Sequence, residues 1–275
     1  HPEVREEVIR WGKWVVNELK IDGFRMDAVK HIKDEFIAEF LTQVREAYGE
    51  KFYSVGEYWR NDLEKLKEYL DNVGYKTDLF DVGLHFNMYE ASKKKKDYDL
   101  REIFEHTIVA TNPMAAVTFV DNHDSQKGSA LESQVDSWFI PHSYAIILLS
   151  KDGYPCLFYG DYYGVGGEKS PHQWIIDKLL EVRRIHAYGE QINHLDNPNV
   201  IAIQRTGRDE WTGCVAVLSN SEEEEEIQIE LGKERAGEVW HEVTGSGYED
   251  ITIDEEGNAD FKVEPEKISV WIRKS

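Results

Sequence analysis

Three carboxylates each close an apolar, strand-like run. Asp27 ends Ile21-Asp-Gly-Phe-Arg-Met-Asp27, Glu57 ends Phe52-Tyr-Ser-Val-Gly-Glu57, and Asp124 ends Val117-Thr-Phe-Val-Asp-Asn-His-Asp124. A polar turn and then a helical pattern follow each run. If the runs are parallel neighbours in one sheet, all three acids project from the same edge into one cleft. Acids gathered in this way suit glycosidic bond cleavage. In the retaining form one carboxylate attacks the anomeric carbon while a second, about 5–5.5 Å away, protonates the leaving oxygen.

The neighbours of each acid suggest a division of labour. Arg25 lies two residues before Asp27, so strand alternation puts both side chains on one face, where the guanidinium can hold Asp27 ionised and oriented as a nucleophile. Glu57 follows a glycine and precedes Tyr58-Trp59, an aromatic setting suited to a general acid. Asp121-Asn-His-Asp124 sets four polar groups at the end of one apolar strand, a desolvation cost that a site would explain. There His123 is placed to donate to a sugar hydroxyl and Asp124 to support positive charge in the transition state. Trp59 offers a flat face for stacking a sugar ring.

The elements that must position these groups alternate. Val4, Val8, Trp11, Val15 and Leu19 share one helical face, and a strand over 21–26 follows. Ile37, Phe40, Leu41, Val44 and Tyr48 mark a second helix, ahead of a strand over 52–55. Asn61-Asp62 offers an N-cap for a helix to about residue 70. A short strand over 79–82 and weaker helical stretches at 85–92 and 100–105 come next. A strand over 116–120, a long helix over 132–150, a strand over 155–159 and a helix over 171–187 complete the series. Five alternations read as parallel α/β, and no Gly-rich phosphate loop follows any strand, which disfavours a nucleotide-binding sheet. After residue 189 the pattern changes: Ile227, Ile229 and Leu231 alternate with Gln228 and Glu230, and turn signals recur, as in an antiparallel β-sandwich. The expected division is therefore 1–189 and 190–275.

The 275 residues carry a net charge of -21, which argues against nucleic acid and anionic membranes as partners and leaves neutral sugars open. No apolar run approaches the ~20 residues of a spanning helix. Cys156 and Cys214, each inside an apolar segment, read as buried free thiols and lean towards a reducing compartment.

Gly23-Phe-Arg-Met-Asp-Ala-Val-Lys-His31, Gly56-Glu-Tyr-Trp59 and Phe119-Val-Asp-Asn-His-Asp124 resemble, in order and spacing, three motifs of the α-amylases, with the nearest likeness to the bacterial liquefying and cytoplasmic types. Leu79-Phe-Asp-Val-Gly-Leu-His85, Gly153-Tyr-Pro-Cys-Leu-Phe-Tyr-Gly-Asp161 and Ile268-Ser-Val-Trp-Ile272 support it. The resemblance implies Asp27 as nucleophile, Glu57 as general acid/base and Asp124 as the transition-state aspartate. It further implies that Arg25 and His123 contact substrate and nucleophile, and that Lys30, His31 and Trp59 line the leaving-group subsites. The main-chain carbonyl of His31 is implied as one ligand of a structural Ca²⁺.

That family has an eight-stranded (β/α)8 TIM barrel, and this chain matches only strands four to eight and the β-sandwich after them. The first three strands and the inserted calcium domain have no counterpart, nor does the family's Asp-x-x-x-Asn-His strand. The chain, which opens on His1-Pro2, is therefore expected to be the C-terminal part of a longer or cleaved polypeptide, weakly stable and inactive without the N-terminal barrel portion as partner. The implied activity is retaining endo-hydrolysis of α-1,4-glucan, an α-glucan polysaccharide such as starch being the substrate. A glucanotransferase with the same carboxylates, or a non-catalytic amylase-like module, is the alternative. The unpaired cysteines and the stretch Asn197-Pro-Asn-Val200 through Gly213-Cys214, which is similar to the cytoplasmic amylases, favour the cytoplasm over secretion.

Overall fold

A computed structural model describes residues 1–274. The chain divides into two compact units, one formed by His1–Leu84 with His106–Thr118, the other by His85–Glu105 with the chain from Phe119 on.

In the first unit, strands β1 (Gly23–Met26), β2 (Tyr53–Gly56), β3 (Asp78–Phe80) and β4 (Ala116–Phe119) stand in chain order. Each pairs parallel to the next, with Met26 opposite Gly56, Gly56 opposite Leu79, and Leu79 opposite Ala116. Every C-terminal strand end thus lies on one edge, as the alternation of elements predicts. β1 has β2 as its single strand partner among the described residues.

Helices α1 (Pro2–Leu19), α2 (Asp34–Tyr48) and α3 (Leu63–Asn72) belong to the same unit. α3 starts where the Asp62 carboxylate accepts the Lys65 N–H at 3.2 Å, as the expected N-cap requires. α2 buries Ile37, Phe40, Leu41 and Val44, while Tyr48, expected on that face, is exposed and donates its hydroxyl to the Lys13 carbonyl at 2.6 Å. α1 departs further from its pattern. The helix buries only Gly12 and Val16, and leaves Val4, Trp11 and Leu19 of the apolar stripe exposed. The cause is a close approach to α2: the Phe40 ring occupies the space that a Cβ on Gly12 would fill. Gly12, not the stripe, is therefore the face α1 turns inward.

The second unit begins within α4 (Val82–Lys94), whose first residues, like the whole of the short α5 (Ile108–Thr111), lie in the first. It holds α6 (Ile140–Leu149), β5 (Tyr154–Cys156), α7 (Tyr159–Tyr163) and α8 (Gln173–Ile185). Two of these are shorter than the sequence predicts. Pro141 suits only the first turn of α6, so the expected helix over 132–150 starts at Ile140, after a 3₁₀ turn. β5 gives way to α7 at Tyr159, so the strand stops at Cys156. α6 is buried on nearly every side: His142 sets its ring nitrogen Nε2 2.9 Å from the Ser219 carbonyl, and Arg183 and Arg205 donate to the carbonyls of Leu148 and Leu149.

The rest of this unit is antiparallel. β6 (Gln191–Asn197), β7 (Val200–Arg205), β8 (Cys214–Ser219), β9 (Glu225–Glu230), β10 (Val239–Glu242), β11 (Ile251–Thr252), β12 (Asn258–Val263) and β13 (Ile268–Arg273) form a six-stranded sheet, β11-β10-β13-β8-β7-β6, and a β12-β9 pair. Val215, Val217, Trp240 and Trp271 from the larger sheet pack with Ile229, Phe261 and Val263 from the pair into one core, the sandwich expected from the alternating pattern. Cys156 and Cys214 are both free. Cys214 is buried, and burial pushes its thiol up to about 12, whereas Cys156 is only half-buried.

Candidate active site

In the first unit the ends of β1 and β2 bring two of the three carboxylates together. The main-chain N–H of Glu57 donates to the Met26 carbonyl at 2.9 Å, carrying the strand pairing one step past Gly56. Gly56 packs closely, because a Cβ there would meet the Leu79 and Val29 side chains at 3.1 and 3.3 Å and they would have to give by a few tenths of an ångström. The Glu57 side chain, 7% exposed, turns in towards Arg25, whereas that of Asp27 is 75% exposed. Arg25 bridges the two: Nη1 bonds Asp27 Oδ1, and Nη2 stands 3.1 Å from Glu57 Oε1. One guanidinium therefore hydrogen-bonds Asp27 and forms an ion pair with Glu57, whose buried Oε1 accepts no hydrogen bond.

The backbone then turns sharply. Ala28 has φ 46° and ψ 41°, and its N–H lies 3.2 Å from Glu57 Oε2. A 3₁₀ turn over Val29–His31 follows, in which Lys30 Nζ donates to the Trp59 carbonyl at 3.0 Å. Lys30 and Trp59, both assigned from sequence to the leaving-group side, are thus joined. His31 is exposed at the end of that turn.

Asp124 and His123 belong to the second unit. Nε2 of His123 lies 3.2 Å from Asp124 Oδ2, with both side chains open to solvent. Their turn is wired by its own polar groups. Asn122 Oδ1 accepts the N–H groups of Asp124 and Ser125, each at 2.8 Å, and Ser125 Oγ donates to Asp121 Oδ1 at 2.7 Å. Asp121 also accepts the Val135 N–H. Burial, and secondarily the charge of Asp161, pushes the Asp121 carboxyl up to about 7.

Further buried polar residues support these stations without having been singled out individually in the sequence. Asp81, at the end of β3, accepts N–H groups from Leu84, Ile108 and Val109 and so caps α4 and α5 at once. His85 places its two ring nitrogens on the Val120 carbonyl and Ser133 Oγ at 2.6 and 2.8 Å, and burial lowers its pKa to about 4. Both lie in the segment Leu79-Phe-Asp-Val-Gly-Leu-His85, where a charged residue ending an apolar run was the available signal. Asp161, pushed up to about 6 by burial, accepts from the Tyr144 hydroxyl at 2.7 Å.

Among the described residues, no group of three or more His, Cys, Asp or Glu side chains is disposed to hold a metal ion. The main-chain carbonyl of His31, the one ligand expected from the sequence, would supply a single oxygen, whereas Ca²⁺ takes about six to eight. The described side chains therefore do not build a calcium cage by themselves.

Strand-end carboxylates on a parallel β/α series, with a β-sandwich following, define the class of the α-amylase-type glycoside hydrolases. The family profile "Alpha amylase, catalytic domain" matches residues 1–254. The chain belongs to the α-amylase family. It is 42% identical to a glucan 1,4-alpha-maltohexaosidase of Bacillus sp. (strain 707), with 100% of this chain and 53% of that protein covered. It is 40% identical to the cytoplasmic alpha-amylase of Escherichia coli K12, covering 98% of this chain and 56% of the relative. The alpha-amylase of Geobacillus thermoleovorans, solved with acarbose, is alike in fold, with a TM-score of 0.75 at 20% identity over 100% of this chain and 65% of that one. The chain spans about half the length of its curated relatives. Those enzymes have a TIM-barrel fold, and this chain has parallel strands together with an antiparallel sheet domain.

Proposed function

We propose that the chain supplies the nucleophile, the general acid/base and the transition-state aspartate of a retaining α-1,4-glucan hydrolase. The carrying observation is Arg25 held on both Asp27 and Glu57. A single guanidinium spans only a few ångström, which suits the ~5–5.5 Å of a retaining pair better than the ~6.5–9.5 Å that an inverting pair leaves for water. Asp27 attacks the anomeric carbon as Glu57 protonates the glycosidic oxygen. The leaving chain departs, and a water, deprotonated by Glu57, then breaks the glycosyl–Asp27 ester. Asp124 stabilises the positive charge that develops on the ring, His123 and Arg25 bind substrate, and Trp59, Lys30 and His31 line the leaving-group side.

The polypeptide acts together with an N-terminal barrel portion. The lengths of the relatives support this, as do the unpaired edge of β1 and the exposed Val4, Trp11 and Leu19 on α1. In this reading residues 1–189 complete a barrel and 190–275 form the domain after it. Ca²⁺ binds at the His31 carbonyl with ligands from that other portion, and the free thiols of Cys156 and Cys214 suit the cytoplasm.

Reducing-sugar release from soluble starch, with Ca²⁺ present, tests the proposal on three samples: this chain alone, the chain with the N-terminal portion, and the latter carrying Glu57→Gln. Activity confined to the second sample is expected. Glu57→Gln is expected to lower it by about 10²–10⁴-fold, the usual contribution of a general acid. No activity in any sample would overturn the hydrolase reading.

A further inference from the structure

Among the described residues seven non-glycine residues adopt positive φ, and Ala28 is the one set between the nucleophile and the acid partner in this site. Ala28, like Lys20 at the end of α1 and Asp209 in a hairpin, lies in a cap or turn, in its case the start of the 3₁₀ turn over Val29–His31. L-residues other than Asn and Asp seldom take this backbone conformation, and a branched Cβ makes it worse.

What the conformation achieves can be read from the strand pairing. Met26 lies opposite Gly56, and the Glu57 N–H bonds the Met26 carbonyl. In a continuing parallel ladder the next bond would run from the Ala28 N–H to the Glu57 carbonyl. Here Val29 N–H makes that bond, at 3.0 Å, so the pairing slips by one residue. The slip releases the Ala28 N–H, which bonds the Glu57 side chain at Oε2 instead. Glu57 is therefore held at its N–H, its carbonyl and its carboxylate by Met26, Val29 and Ala28, the residues flanking Asp27.

We propose that Ala28 is a positioning residue for the general acid, acting through its left-handed backbone and its main-chain N–H. This rests on the hydrolase reading above. It requires at position 28 a residue that tolerates positive φ, whatever its size.

The test uses the complete enzyme with Ala28→Gly, Ala28→Asn and Ala28→Val, and Ala28→Thr where the valine protein does not fold. Two substrates are compared: maltoheptaose, whose leaving sugar needs protonation, and 2-chloro-4-nitrophenyl maltotrioside, whose leaving phenolate needs little. Glycine and asparagine, which adopt the left-handed region readily, are expected to keep kcat within about threefold on both. Valine is expected to lower kcat on maltoheptaose by about 100-fold, the scale of lost acid assistance, with far less effect on the aryl glycoside and KM nearly unchanged. Equal losses on both substrates, or equal behaviour of valine and asparagine, would overturn the positioning role. An unaltered enzyme inactive on both substrates would overturn the hydrolase reading itself.

Discussion

Glu57 and Asp124 both follow short parallel-type strands, yet the chain secures them by different means. Around Glu57 the hydrogen bonds come from the main chain of the neighbouring strand, through Met26, Ala28 and Val29, and Arg25 adds an ion pair. Around Asp124 they come from side chains of its own turn: Asn122 accepts two N–H groups, and Ser125 and Asp121 complete the circuit. A main-chain staple is indifferent to most substitutions and sensitive to backbone conformation. A side-chain circuit can be cut by one substitution and can respond to pH, because it contains an ionisable member.

That contrast can be broken most strongly at Asp121. Its folded-state pKa of about 7 lies above the ordinary carboxylate value of 3.8, so the folded chain holds a proton there that the unfolded chain has lost. The stabilisation is full below about pH 4, and it is lost as pH rises through about 7. The loss is on the order of 2–4 kcal/mol, and Asp121→Asn should remove it. Urea unfolding of the second unit between pH 4 and 8 measures this, and an unchanged slope in the asparagine variant would remove pH sensitivity from the comparison. A smaller effect is expected at Arg25→Lys, since an ammonium cannot bridge two carboxylates as a planar fork does. A fall in kcat of about 30-fold is expected for the complete enzyme, with little change in unfolding midpoint, read from starch hydrolysis and thermal melts. The smallest belongs to Asn122→Ala, which unties two N–H groups in a solvent-open turn: about 1 kcal/mol of stability by urea titration. A fall in kcat for Asn122→Ala larger than that for Arg25→Lys would reverse the contrast.

Much of the site was legible because each acid ends an apolar run, and strand direction alone then places it at a sheet edge. The Arg25–Asp27 pairing followed from alternation, and the Asp62 cap from its residue type. The reach of Arg25 to Glu57 was not legible, since it joins residues on two strands whose register the sequence leaves open. The slip at Ala28 was hidden as well: alanine is ordinarily a helix former, and nothing in its type announces a positive φ. The apolar stripe of α1 was visible in the sequence, but which side of that helix meets α2 depended on Gly12 making room for one ring of Phe40. Asp121 was seen as one of four crowded polar groups. Its burial could not be known before Ser125 and the Val135 N–H were found around it.

The burial of α6 has a consequence for where this polypeptide can be divided. Its carbonyls are closed by Arg183 and Arg205, and its His142 ring faces the Ser219 carbonyl, so two of these three partners come from the β-sandwich. A cut near residue 190 would leave an apolar rod without its cover, the Leu149 carbonyl without the Arg205 guanidinium, and His142 without the Ser219 carbonyl. Recombination between relatives at that junction would therefore have to exchange α6 and the strands beneath it as a single inherited piece.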